Sequence, residues 1–152
     1  MKHISTKLFA FFLSLLLFTT CVCAESSQKS VVSFDHIDLP NGDYIIEIIT
    51  ETDVQAYATN TKSGTKTATR YTSDNVALFS VTVTGTFSYN GSTSKATSAS
   101  ATVNLLNPAV SYVSKSAKCS GNSAIATGTT KYCDVTYYGT TKLSCSSSGV
   151  LS

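Results

Sequence analysis

Residues 77–91 read ALFSVTVTGTFSYNG. Phe79, Val81, Val83, Phe87 and Tyr89 fall on one parity, and Ser80, Thr82, Thr84, Thr86 and Ser88 on the other. Successive strand side chains point to opposite faces, so this alternation predicts a β-strand with one buried and one solvated face. Asn90-Gly91 ends it, a dipeptide that favours the type I′ turn of a tight hairpin. The stretch that follows, residues 92–106, carries Val103 and Leu105 on the wrong parity for a two-residue turn. A bulge or a longer turn near Ala96 is needed to bring them back to the apolar face.

Working outward, residues 31–37 read as a short strand, and Leu39-Pro40-Asn41-Gly42-Asp43 as a turn. Residues 44–52, YIIEIITET, read as a strand buried on both faces near its start. Residues 56–59 suggest brief pairing, 60–64 a loop, and 66–72 a polar, Thr-rich edge strand. Ser73-Asp74-Asn75 turns the chain into the signature strand. Asn107-Pro108 breaks the strand after the hairpin. Two further strands, within residues 109–118 and 123–138, meet at Gly121-Asn122, which fits a type II′ turn. Tyr138-Gly139-Thr140 is expected to turn the chain again, before a last strand at 140–145. Short strands divided by turn signals predict an all-β fold, an antiparallel two-sheet sandwich immunoglobulin-like in architecture, with seven or eight strands. The Ser/Thr parity favours a sandwich, with one solvated face per sheet.

The first two dozen residues read as a helical export signal. Lys2 and Lys7 supply the positive region, residues 8–18 the apolar run, and Val22 and Ala24 the small-residue cleavage site, with the cut between Ala24 and Glu25. That run is too short to span a bilayer, and no later segment spans one. The expected product is a secreted, extracellular chain with a flexible terminus at 25–30 and a single domain at 31–152. Removing Lys2 and Lys7 from the 11 basic residues leaves a balance with the 9 acidic ones. That balance gives no sign of a nucleic-acid or anionic-membrane partner. Of the 5 cysteines, Cys119, Cys133 and Cys145 follow the cut. A hairpin at Tyr138–Thr140 would set Cys133 opposite Cys145, so this pair is one disulfide candidate and Cys119–Cys145 is its rival.

Chemistry is thinly signalled. Ser63-Gly64-Thr65-Lys66 and Ser73-Asp74-Asn75 imitate motifs of penicillin-recognising enzymes, but they lie close together in strand territory without a K-T-G partner. His36, flanked by Asp35 and Asp38, is the one histidine after the cut, and no G-x-S-x-G elbow accompanies it. Asp38, Asn41 and Asp43 offer oxygens for calcium, although a plain turn explains them. Glu47, Glu51, Asp53, Asp74 and Asp134 are the carboxylates open to glycoside chemistry, with nothing to set an acid against a nucleophile. No metal or other cofactor is expected. Tyr132, Tyr137 and Tyr138 are the remaining cluster. Tyr137 and Tyr138 point opposite ways, so Tyr132 and Tyr138 are the residues expected on a binding face.

Four segments also carry a resemblance: residues 66–69 (KTAT), 78–91 (LFSVTVTGTFSYNG), 120–124 (SGNSA) and 143–145 (LSC). They resemble a group of small secreted proteins of Gram-positive, often gut-dwelling, bacteria, over residues 59–152. The resemblance implies export and a β domain but no reaction. Members often carry a cysteine near the place of Ala96 and a tryptophan near residues 110–112, and this chain has neither. Cys145 therefore lacks the partner the resemblance would supply, leaving Cys119 or Cys133 as substitute. The reading as a whole is a non-enzymatic extracellular module that binds a protein or glycan at a cell surface. Its alternatives are a secreted bacteriocin-like or toxin-like effector and a hydrolase with a cryptic site.

Overall fold

The computed structural model describes residues 29–52 and 60–152. The export signal, its Ala24–Glu25 junction, Asp53 and the pairing expected at 56–59 lie outside the described residues. Among the described residues eight strands form: β1 (Lys29–Asp38), β2 (Tyr44–Thr52), β3 (Thr61–Tyr71), β4 (Ala77–Tyr89), β5 (Ser94–Leu105), β6 (Val110–Ser120), β7 (Ser123–Tyr132) and β8 (Val135–Ser144). They build the expected two-sheet antiparallel sandwich, one sheet ordered β1-β2-β3-β4-β5 and the other β6-β7-β8. Both sheets are meanders, and the chain passes between them once, after β5.

The signature strand β4 behaves as its alternation predicts. Phe79, Val81, Val83 and Phe87 turn inward and are buried, while Thr82, Thr84, Thr86 and Ser88 line the open face. The turn after it differs from the expected two-residue form. Tyr89 pairs with Ser94 across a four-residue loop, in which the Asn90 side-chain oxygen accepts from the amides of Ser92 (3.1 Å) and Thr93 (2.8 Å). Only Gly91 of that loop has positive φ, at 86°. A type I′ turn needs two such residues, and the Asn90 cap stabilises the wider loop instead. The predicted bulge is present: Thr86 pairs with Ser98 and Phe87 with Ala96, so Thr97 is extra. The shift returns Ala99, Ala101 and Val103 to the face of Val83 and Val81.

Residues 60–72 correct two expectations. The supposed loop at 60–64 is largely the start of β3, and the supposed edge strand at 66–72 runs between β2 and β4. Gly64 is there for close approach rather than for a turn. A Cβ at that position would meet Leu151 Cδ1 at 2.5 Å and the Thr50 carbonyl at 2.8 Å. The C-terminal segment folds back over this spot, held by the Cys145–Leu151 bridge, and buries Leu151 in the core.

The β7–β8 hairpin corrects a third. Its turn is Cys133-Asp134, with φ of 46° and 63°, the two positive values of a type I′ turn. Gly139 sits mid-strand opposite Gly128. Cβ atoms at these two glycines would each meet Val81 Cγ2 at 2.8 Å. They let the small sheet lie closely on β4, with Ala124, Ala126, Thr141 and Leu143 filling the rest of the layer. With the turn there, Cys133 and Cys145 flank opposite ends of β8, so the Cys133–Cys145 bridge does not form. Neither does its rival, since Cys119 and Cys133 are exposed and free while Cys145 is free and buried. Burial pushes the Cys145 thiol up, with Lys62 opposing. The Gly121-Asn122 turn is as expected, with Gly121 at φ 57°.

One prediction follows from the Gly139 contact. Gly139→Ala is expected to destabilise the domain by about 2 kcal/mol through overpacking. Adding Val81→Ala to it should cost less than the two single effects combined, as read by a double-mutant cycle in urea. A fully additive cycle would mean that Gly139 does not face Val81.

Candidate functional site

The three-stranded sheet packs over β3, β4 and β5 and, among the described residues, leaves β1 at a free edge of the larger sheet. β1 therefore carries apolar side chains that are not buried. Val31 is 67% exposed and Phe34 62%, with Val32 and Ile37 also open. The outer face of this half carries Phe34 beside Ile48 and His36 beside Ile46. His36 then starts a row of stacked rings. It lies 4.7 Å from Tyr44 with 15° between planes, and Tyr44 lies 4.9 Å from Tyr71 with 3° between planes. The Tyr44 hydroxyl donates to Asn75 Oδ1 at 2.9 Å, fixing the row's centre. His36 Nε2 meets Asp38 Oδ1 at 3.0 Å.

The inner face of β2 and β3 carries an ion-pair ladder that sequence reading missed. Asp43 pairs with Arg70 at 2.7 Å, Glu47 with Lys66 at 2.8 Å, and Glu51 with Lys62. Glu47 and Glu51 each reach two residues along from their direct partners, Ala68 and Gly64, to the diagonal neighbour of an antiparallel pair, and Asp43 continues the spacing just before β2. The signal was present: acids recur every fourth residue from 43 to 51 and bases every fourth from 62 to 70, which keeps each set on one strand face. Burial acts to raise the Asp43 carboxyl. The Arg70 hydrogen bonds and charge, with Asn41 and the Ser73 amide, outweigh it and hold that carboxyl below its ordinary value. Arg70 also lies 4.6 Å from the centre of the Tyr137 ring on β8, so it ties the two sheets together.

The outer face of the small sheet is different again. Residues of β7 at 124, 126, 128 and 130 point into the sandwich, so Ile125, Thr127, Thr129 and Lys131 point away. In register with them stand Lys118, Ser116, Ser114 and Ser111 on β6, and Lys142, Thr140, Tyr138 and Thr136 on β8. Lys118, Lys131 and Lys142 are exposed, and Tyr138 is 75% exposed.

The candidate residues read from sequence do not converge. Ser63 bonds Thr86 on the outer face while Lys66 pairs with Glu47 on the inner one, so S-x-x-K makes no site. Asn75 serves Tyr44 in a turn. Asp35 stands opposite Glu47 on the inner face, away from His36. Glu47 and Glu51 share a face, but each is bound to a lysine, and Asp74 and Asp134 lie in separate turns. Asp38 and Asp43 have different partners, His36 and Arg70. Among the described residues, no group of three or more His, Cys, Asp and Glu is placed to hold a metal ion. Tyr137 packs toward Phe79, as one of the adjacent pair was expected to. The expected face of Tyr132 and Tyr138 is corrected: Tyr132 has the inward parity of Thr130 and packs on the core, so the two point opposite ways. The Cys133 thiolate, then burial, push the Tyr132 phenol up. Comparison with known proteins finds no matching family model, no matching curated protein and no matching solved structure.

Proposed function

We propose that this chain is an exported, non-enzymatic module that acts at a cell surface, where it takes an extended segment of a protein partner as an added strand along β1. The observation that supports this reading is the free edge itself. β1 is ten residues long, and its apolar side chains stand open to solvent on both sides of the sheet. Sheet edges present unpaired amides and carbonyls, and soluble domains usually protect them with charge, proline or a short strand. β1 has no proline; its charges, Lys29, Asp35 and Asp38, leave the run from Ser30 to Phe34 uncharged, and its irregularity is a single bulge between Val31 and Ser33. Such an edge suits β-augmentation, in which backbone hydrogen bonds supply affinity and alternate side chains supply specificity. Phe34 and the His36–Tyr44–Tyr71 row would receive the partner's apolar side chains on the outer face.

Co-sedimentation with isolated cell envelopes of the producing organism tests this. Saturable retention is expected, with Phe34→Asp weakening it about tenfold or more while the fold is kept, since Phe34 is exposed. Absence of retention, or retention indifferent to Phe34→Asp, would contradict the reading.

A further inference from the structure

The near balance of charge in the chain, 11 basic against 9 acidic residues, conceals a segregation. Three of its bases, Lys62, Lys66 and Arg70, are neutralised by acids within the large sheet. The small sheet keeps Lys115, Lys118, Lys131 and Lys142 against a single acid, Asp134, which lies in the β7–β8 turn. Among the described residues no carboxylate pairs with any of these four lysines.

Register places three of them on one face. Lys118, Ile125 and Lys142 form a single transverse row, and Lys131 stands farther along on β7 beside Thr136 and Ser111. Adjacent strands lie about 4.8 Å apart, so the Lys118 and Lys142 backbones are separated by roughly 10 Å. Between the Lys118–Lys142 row and Lys131, the face is paved with the hydroxyls of Ser114, Ser116, Thr127, Thr129 and Thr140, and the Tyr138 ring stands among them.

We infer that this face binds a linear, phosphate-bearing polymer of sugars or polyols, which deepens the surface-module reading by adding a second ligand on a second face. Three features select that chemistry. Lysines are point charges suited to phosphates spaced along a chain, rather than the bidentate fork that picks out single carboxylates. Hydroxyl-rich side chains between them match a hydroxyl-rich ligand and offer little to a lipid surface, which needs apolar side chains to insert. A lone exposed tyrosine is enough to stack on one sugar ring and is too few for the successive stacking platforms that hold single-stranded nucleic acid.

The experiment is calorimetric titration of the folded protein with poly(glycerol phosphate) across a salt series. Single-stranded DNA and vesicles of phosphatidylglycerol are titrated in parallel. Binding is expected with a log–log salt slope of roughly −2, as for three neutralised phosphates on a flexible chain. The K118Q/K142Q variant should lose about tenfold in affinity and flatten the slope by about 1.4. The K95Q/K115Q variant, which removes equal charge off that face, should bind like the parent. Equal losses in both variants, no binding of the polymer, or tighter binding of the DNA or the vesicles would each overturn the inference. Envelope retention that persists without polymer binding would sink this inference and leave the β1 reading standing.

Discussion

Phe87→Ala is expected to cost about 4 kcal/mol, the largest loss from any single side chain here, and to lower the melting temperature by about 15 °C. Phe87 is fully buried, and its ring lies over Gly85, where a Cβ would meet it at 2.9 Å. Ala96 faces it across the bulge on β5, and Ala124 closes on Gly85 from the other sheet. These neighbours are small and have no side chain to swing into the gap, so the cavity stays open and its cost adds to the lost transfer energy. Thermal and urea denaturation read the effect. A loss under about 1.5 kcal/mol would show that the two sheets do not meet at this ring.

Arg70→Ala is expected to cost about 3 kcal/mol at neutral pH, for two reasons that act together. It strands the buried Asp43 carboxylate, and it removes the cation from the Tyr137 ring. Arg70→Lys should recover part of this, since charge returns without the planar contact. The pH dependence has a definite sign. Asp43 has its carboxyl lowered by folding, so its contribution is complete above the ordinary value of 3.8 and fades as pH falls below it, through the lowered folded value. Asp43→Asn should therefore be less stable than the parent at pH 7 and flatter in stability below pH 4 or so. Equal acid slopes in the two proteins would contradict the pairing.

Much of the architecture was legible where burial has one side. The alternation in β4 predicted its faces, and the wrong parity of Val103 and Leu105 predicted a bulge before the partner strand could be placed. The errors share a cause. In sequence Gly64 reads as the end of a loop and Gly139 as the centre of a turn, because glycine more often permits a bend than a close contact. Here both mark places where another element needs the room of a missing Cβ, and only the packed sandwich supplies that element. Moving the β7–β8 turn to Cys133-Asp134 then removed the disulfide geometry and separated Tyr132 from Tyr138. The candidate surfaces were harder to read for a related reason. β1 looks like an ordinary strand in sequence, and its exposure depends on how many strands the second sheet has to cover it. The basic face is invisible to a charge count, since acids that pair with none of its lysines, Asp35 and Asp74 among them, offset it in the total.

The most direct test of the β1 claim is amide hydrogen exchange on the envelope-bound protein compared with the free one. New protection is expected to concentrate in Lys29–Asp38, as its outward amides gain a partner strand, with the interior strand β4 unchanged. Unchanged exchange in β1 on protein shown to be bound would contradict it.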